Sequence, residues 1–232
     1  LKISYFLRFK WGWYNPLKIP LRPLKREGKS MGKNSIQDMG PEDLRKAVKR
    51  KYGEVAAFPQ DPFPFPVGKE FAKTCGYPGE KLDSLPDSLT ESFAGIGCPV
   101  ALADLSPGEV VLDLGSGGGL DAVLAAEKVR PTGKVIGLEM SGEMLKKARR
   151  NVQELGLTQV EFREGYAEAM PFEDASMDAV LVNGIFNLAP DKMAIFREVL
   201  RVLKPGGRVI ICEIVLEREL SAEVKTIEDW FK

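Results

Sequence analysis

Residues Val110 to Leu120 read Val-Val-Leu-Asp-Leu-Gly-Ser-Gly-Gly-Gly-Leu, an apolar run that ends in an acid and passes at once into a glycine-rich turn. No other stretch constrains the fold as much. A short apolar strand delivered into such a turn, with a helix behind it over about Leu120 to Arg130, is the opening of a βαβ unit and therefore of a parallel sheet. Pro131 and Gly133 stop that helix. The glycines let the backbone take positive φ and approach a ligand closely, so the turn reads as the front of a nucleotide-cofactor site.

Two registers compete for the glycines. Gly117, Gly119 and Ala122 give a weak dinucleotide fingerprint, whereas Gly115, Gly117 and Gly119 give Asp-x-Gly-x-Gly-x-Gly from Asp113. Asp113 decides between them, because a carboxylate at the strand end repels a pyrophosphate and attracts a cation. S-adenosylmethionine carries an ammonium and a sulfonium and no phosphate. From Asp113 through Gly115, Ser116, Gly117 and Gly119 the chain resembles motif I of the class I S-adenosylmethionine-dependent methyltransferases, and the resemblance implies that these positions cradle the methionine half of that cofactor. It also implies a Rossmann-like, doubly wound, mostly parallel α/β sheet. Gly117 is expected to lie against the cofactor with no room for a side chain.

The next strand, Lys134 to Met140, ends in Glu139, twenty residues beyond Gly119 and followed by Met140. An acid so placed accepts both ribose hydroxyls. It also suits the start of the helix that follows, from about Ser141 to Leu155, and the two roles are compatible. A third strand covers Val160 to Arg163. The loop Gly165-Tyr166-Ala167-Glu168-Ala169-Met170-Pro171 behind it is similar to the family's adenine loop, which implies contacts through Tyr166 and Ala167; as plain sequence it is a turn before Pro171. A fourth strand, Met177 to Asn183, is apolar except for Asp178. Asp191 caps a helix with Ile195, Phe196, Val199, Leu200 and Leu203 on one face, and Lys204-Pro205-Gly206-Gly207 breaks it before a fifth strand, Arg208 to Val215.

Composition bounds the function classes. The 232 residues hold 33 basic and 33 acidic side chains and no histidine. Zero net charge gives no electrostatic footprint for nucleic acid, and the run Lys146-Lys147-Ala148-Arg149-Arg150 reads as a solvated helix face. No run of 18 apolar residues spans a membrane. Without histidine the commonest general base and metal ligand are gone, which argues against hydrolases and zinc enzymes and costs an alkyl transfer little; no metal is expected. Cys75, Cys98 and Cys212 do not make a disulfide framework and point to a reducing, cytoplasmic setting.

Three segments are expected. Residues 105–232 carry the cofactor domain, but too little chain follows the fifth strand for the sixth and seventh strands that close the class I sheet. The reading favours a truncated chain; a bare parallel edge otherwise invites a covering partner or a homo-oligomer. Residues 31–104 form a helical and Pro-rich lid or substrate segment, with a helix over Pro41 to Lys51. Residues 1–30, with eight Lys and Arg, the single acid Glu27 and six interleaved aromatic residues, read as a basic extension that is disordered or not part of the natural protein, since Met31 offers a start; the other reading is contact with an anionic membrane surface.

Tyr52-Gly53, Cys75-Gly76-Tyr77-Pro78, Leu85-Pro86, Gly97-Cys98-Pro99-Val100 and Asn183-Gly184-Ile185-Phe186-Asn187-Leu188-Ala189-Pro190-Asp191-Lys192 are similar in order and spacing to the arsenite methyltransferase branch, over about residues 45–215. The resemblance implies thiolate capture of trivalent arsenic, with Cys75 and Cys98 at two family cysteine positions; Gly184 stands in place of a third, and Cys212, inside the fifth strand, reads as a core residue. Asn183, Asn187 and Tyr52 are candidates for closing the pocket, Tyr52 from a lid helix. Two other readings stay open: a carbon, nitrogen or oxygen methyltransferase of another small metabolite, leaving S-adenosylhomocysteine as product, and an inactive cofactor-binding interaction protein.

Overall fold

The computed structural model describes residues 5–10 and 40–214. Its frame is one sheet of β1 (Tyr5–Lys10), β2 (Val110–Leu114), β3 (Lys134–Glu139), β4 (Val160–Glu164), β5 (Met177–Asn183) and β6 (Leu203–Glu213), in the order β1-β6-β5-β2-β3-β4. The last five in that order are parallel neighbours. From β2 the chain winds outward through β3 and β4, then crosses back to β5 and β6 on the other side. The winding reverses between β2 and β5, so the crevice for a ligand opens at their C-terminal ends.

Eight α-helices flank the sheet among the described residues: α1 (Pro41–Ala57), α2 (Lys69–Thr74), α3 (Gly79–Asp83), α4 (Asp87–Thr90), α5 (Pro99–Leu102), α6 (Leu120–Val129), α7 (Gly142–Glu154) and α8 (Lys192–Val202). On one face α6 and α7 pack Val123, Ala126, Leu145 and Ala148 against Val111 and Leu181. On the other, α8 brings Ile195, Val199 and Val202 against Leu112, Val180 and Val182. Val111, Leu112 and Leu114 are fully buried, each contributing about 1.5–3 kcal/mol relative to an exposed position. A strand covered on both faces has to read as an unbroken apolar run, which is why β2 does.

Three expectations are corrected here. The edge beside β6 is not bare: β1 lies antiparallel along it, with Tyr5 opposite Glu213 and Lys10 opposite Arg208. An edge strand presents a row of free N–H and C=O groups, and Tyr-Phe-Leu-Arg-Phe-Lys has the aromatic content that suits a strand. Within the basic extension 1–30, residues 5–10 thus form a strand; 1–4 and 11–39, Met31 included, and the chain after 214 lie outside the described residues. The fifth parallel strand starts at Leu203, because the chain turns extended straight after α8 and takes up Pro205 and Gly206 in a register irregularity opposite Met177 and Ala179. Finally, α1 runs to Ala57, beyond Lys51, because Val48, Val55 and Ala56 continue one buried face.

Candidate functional site

The glycine turn leaves β2 with Gly115 and Ser116 both donating their N–H groups to the Leu138 carbonyl, which ties the turn to β3. Gly119 caps α6 at φ +93°, where a Cβ would sit 3.0 Å from the Phe162 ring and 3.3 Å from Ala148 Cβ. Glycine is needed there on both counts. Gly117, at φ +49°, has no atom within 4 Å of where a Cβ would project. The protein itself leaves that space open, on the side where Gly117 lines the cavity described below.

Glu139 joins the turn to the next helix. Its Oε2 accepts the Gly117 N–H at 3.0 Å and its Oε1 accepts the Ser141 N–H at 2.8 Å, while Ser141 Oγ caps α7 by accepting from Met144 N. The Met140 N–H is a third backbone donor to this carboxylate, which leaves part of its acceptor capacity for a ligand. Glu139 thus takes the helix-start role read from the sequence and also lines the cavity described below.

Three carboxylates crowd this turn, and all are buried: Asp113 at 2%, Asp121 at 6% and Glu139 at 9% exposure. Burial pushes all three carboxyls above their ordinary range, and Asp113 is pushed further by the neighbouring charge of Asp121. Asp121 titrates at about 6, held down by hydrogen bonds from Asn183 and Tyr77. Tyr77 Oη donates to Asp121 Oδ1 at 2.7 Å and Asn183 Nδ2 donates to Asp121 Oδ2 at 2.9 Å. The side-chain Oδ1 of Asn183 accepts from Ile96 N and Gly97 N, which pins the loop before α5 to the end of β5. Asp113 Oδ2, Ser116 Oγ and Ser92 Oγ are buried with no hydrogen-bond partner among the described residues. Buried polar atoms left in this state are costly, so a polar, cationic ligand fits this wall better than an apolar one.

Next to these groups is a cavity lined by Gly115, Ser116, Gly117, Asp121, Glu139 and Met140 on the sheet side, and by Tyr166, Ala167 and Glu168 at one end. Phe93, Gly95, Asn183, Gly184, Ile185 and Leu188 also line it. Helix α1 closes it through Arg45, Val48 and Tyr52. Arg45 donates to Glu168 Oε1 through Nε at 3.3 Å and Nη2 at 3.2 Å, and its guanidinium lies 5.6 Å from the centroid of the Tyr166 ring. Lys49 pairs with Glu164 at 3.2 Å. The Tyr52 ring stacks on Phe65 at 5.9 Å, and burial beside Glu139 and Glu213 keeps its phenol protonated far above neutral pH.

The structure thus gathers Gly115, Ser116, Gly117, Glu139, Met140, Tyr166, Ala167, Asn183 and Tyr52 around one cavity. Asp113 and Gly119 stand just behind its lining. Asn187 faces elsewhere, its Nδ2 donating to Glu213 Oε1 and to the Ile214 carbonyl. Cys75 and Cys98 are not in the lining: Cys98 is in the core and Cys75 packs on the same core, its Sγ 3.8 Å from the Gly95 carbonyl. Burial raises all three thiols, Cys98 to about 11 and Cys212 to about 12. Among the described residues, no three Cys, Asp or Glu side chains are grouped to hold a metal ion. Lys147, expected to be solvated, instead pairs with Glu91 at 2.7 Å.

Sequence reasoning missed Asp121, Tyr77, Ser92, Arg45 and Asn151. The buried Asn151 donates to the Gly118 and Ser88 carbonyls and ties α4 to the turn. Asp121 had one local signal, an acid two residues after Gly119, but an acid in a first helical turn is explained by the helix dipole alone. The others come from segments distant in the chain.

Comparison with known proteins adds three findings. A family described as a methyltransferase domain matches residues 105–232. An arsenite methyltransferase of Halobacterium salinarum is 39% identical over 211 residues, 84% of this chain and 53% of that protein; a demethylmenaquinone methyltransferase of Lactococcus lactis is 41% identical over 112 residues, 48% of this chain and 44% of that protein. The crystal structure of an arsenic(III) S-adenosylmethionine methyltransferase from Chlamydomonas reinhardtii superposes with a TM-score of 0.57 at 31% identity, covering 68% of this chain and 53% of that one. The chain spans about half the length of these relatives.

Proposed function

The chain belongs to the class I S-adenosylmethionine-dependent methyltransferases, in the arsenite methyltransferase branch, and on that premise we propose that it transfers a methyl group to a small acceptor lodged under α1. The observation that carries this reading is the set of buried, partnerless oxygens and crowded carboxylates at the glycine turn. They suit a polar nucleoside that bears positive charge.

S-adenosylmethionine, when bound, supplies an activated methyl group on its sulfonium. The rest falls to the chain's residues. Glu139 accepts the ribose hydroxyls with the lone pairs its backbone donors leave free. Tyr166 and Ala167 form the adenine wall, and the partnerless Ser116 and Ser92 hydroxyls meet the other end. Tyr52, Val48, Phe93, Ile185 and Leu188 line an apolar volume that excludes water around the acceptor. Holding two reactants in line in such a pocket is worth roughly 7–11 kcal/mol of the barrier.

A trivalent arsenical is the narrower reading, brought by the arsenite methyltransferase relatives. In its favour, Cys75, Cys98 and Cys212 gather about the Gly95–Cys98 loop, close enough to raise one another's titration. Against it, Gly184 takes φ +75°, and a Cβ there would meet Ile96 Cγ1 at 3.0 Å. The thiols also stay protonated behind the cavity wall. The lining therefore supports an acceptor with an apolar body better than thiolate capture. The free thiols also suit a reducing compartment such as the cytoplasm.

Methyl transfer from labelled S-adenosylmethionine decides this, using a panel of arsenite, a monomethyl arsenical, quinols and small carbon, nitrogen and oxygen acceptors. Turnover of a non-arsenical that is unaffected by Cys75→Ser and Cys98→Ser supports the broader reading. Arsenical turnover lost in both serine variants supports the narrower one, and binding without any turnover points to an interaction protein.

A further inference from the structure

We propose that Asp121 receives the ammonium of the bound cofactor and that the Asp113–Asp121 pair gives up a proton to solvent as it does so. The proposal rests on the cofactor reading above.

Asp121 lines the cavity in the first turn of α6 and is held in one orientation by two neutral donors, Tyr77 Oη on Oδ1 and Asn183 Nδ2 on Oδ2. Asn183 cannot turn away, because its other end accepts from Ile96 N and Gly97 N. One acceptor direction remains on each carboxylate oxygen. A fixed, buried carboxylate with spare lone pairs on a cavity wall lacks only a cationic partner.

Among the described residues, none of the titratable neighbours supplies one. Asp121 is faced by Asp113 on β2, Tyr77 before α3, Cys98 before α5 and Cys212 on β6; Asp113 is faced in addition by Glu139 on β3. All are acids or neutral groups. Asp113 Oδ2 has no hydrogen-bond partner, although the side chain also takes the Ala122 N–H. Two adjacent carboxylates this deeply buried do not both ionise readily, so one proton belongs to the pair in the ligand-free protein. When an ammonium docks, its charge stabilises the doubly ionised pair and the proton leaves to water. One N–H···O⁻ contact forms, one carboxyl O–H is lost, and charge balances.

The experiment is titration calorimetry on the full chain at pH 6.5, in two buffers of different ionisation enthalpy. At that pH an α-ammonium, which titrates at about 7.7–8.0 at a peptide terminus and higher beside a free carboxylate, is protonated in the free ligand, so any released proton comes from the protein. S-adenosylhomocysteine, which has the ammonium, is compared with 5′-methylthioadenosine, which lacks it. The expected result is buffer-dependent heat, up to one proton released, for the first ligand and buffer-independent heat for the second. Asp121→Asn should weaken the homocysteine ligand tenfold or more and leave methylthioadenosine unchanged. Asp113→Asn should cut the proton release. Equal weakening of both ligands by Asp121→Asn would assign it a structural role and overturn the proposal, as would equal buffer dependence for the two ligands on the unaltered protein, which needs no variant. Failure of either ligand to bind the unaltered chain overturns the cofactor reading itself.

Discussion

Glu139 joins the glycine turn to the start of α7 and also lines the cavity. Removing it separates the roles. Glu139→Gln should fold and lose part of the affinity for S-adenosylmethionine, while Glu139→Ala should lose about 1.5–3 kcal/mol, the range for hydrogen bonds to a charged group. Gly117→Val is a different case. Its side chain meets no protein atom but enters the cavity from a φ of +49°, so the variant should fold at a strain of roughly 1–2 kcal/mol and bind the cofactor poorly. Circular dichroism and calorimetry on the same samples check both effects. Asp121 makes a pH prediction. Its folded pKa of about 6 lies above the ordinary 3.8, so the folded protein binds its proton more tightly than the unfolded chain does, and stability falls as pH rises from about 4 to about 6. The loss is on the order of 3 kcal/mol. Melting temperatures of the ligand-free protein and Asp121→Asn should therefore diverge across that window in favour of the variant, and parallel curves would contradict the assignment.

At the scale of elements, α1 is the part that makes a cleft into a closed cavity. It reaches the adenine-side loop through Arg45 on Glu168 and Tyr166, and reaches β4 through Lys49 on Glu164. Exposed ion pairs contribute little, but Arg45 and Glu168 are half-buried and linked by two donors. Arg45→Ala should speed cofactor release several-fold with little change in melting temperature, and stopped-flow displacement reads that rate; an unchanged rate would mean α1 is no lid. The helix itself was legible from Pro41 and the acids behind it. Its place over the cavity was not, because Arg45 and Glu168 are 123 residues apart and no local pattern records their contact. The thiols went the same way: spacing put Cys75 and Cys98 in family order, but which face of the Gly95–Cys98 loop they occupy depends on how Asn183 grips that loop.

For the whole molecule, the parallel sheet was readable because β2, β3, β5 and the second half of β6 are covered on both faces, and burial on both faces writes itself into the sequence as apolar runs. The antiparallel strand β1 was not readable. An edge strand needs only backbone pairing, and its partner β6 lies some two hundred residues further along. The cofactor end of the site was legible for a similar reason, since tight backbone approach demands glycines and acids at set positions. The acceptor end is built from Val48, Phe93 and Ile185, which local sequence cannot tell from core. The central claim is that the crowded acids and partnerless oxygens of the glycine turn bind S-adenosylmethionine. Calorimetric titration of that cofactor into the full chain, Glu139→Ala and the Cys75→Ser/Cys98→Ser double variant tests it most directly. One binding site in the unaltered chain, weakened tenfold or more by Glu139→Ala and unchanged by the double serine variant, is the predicted result; no binding, or binding indifferent to Glu139, would contradict it.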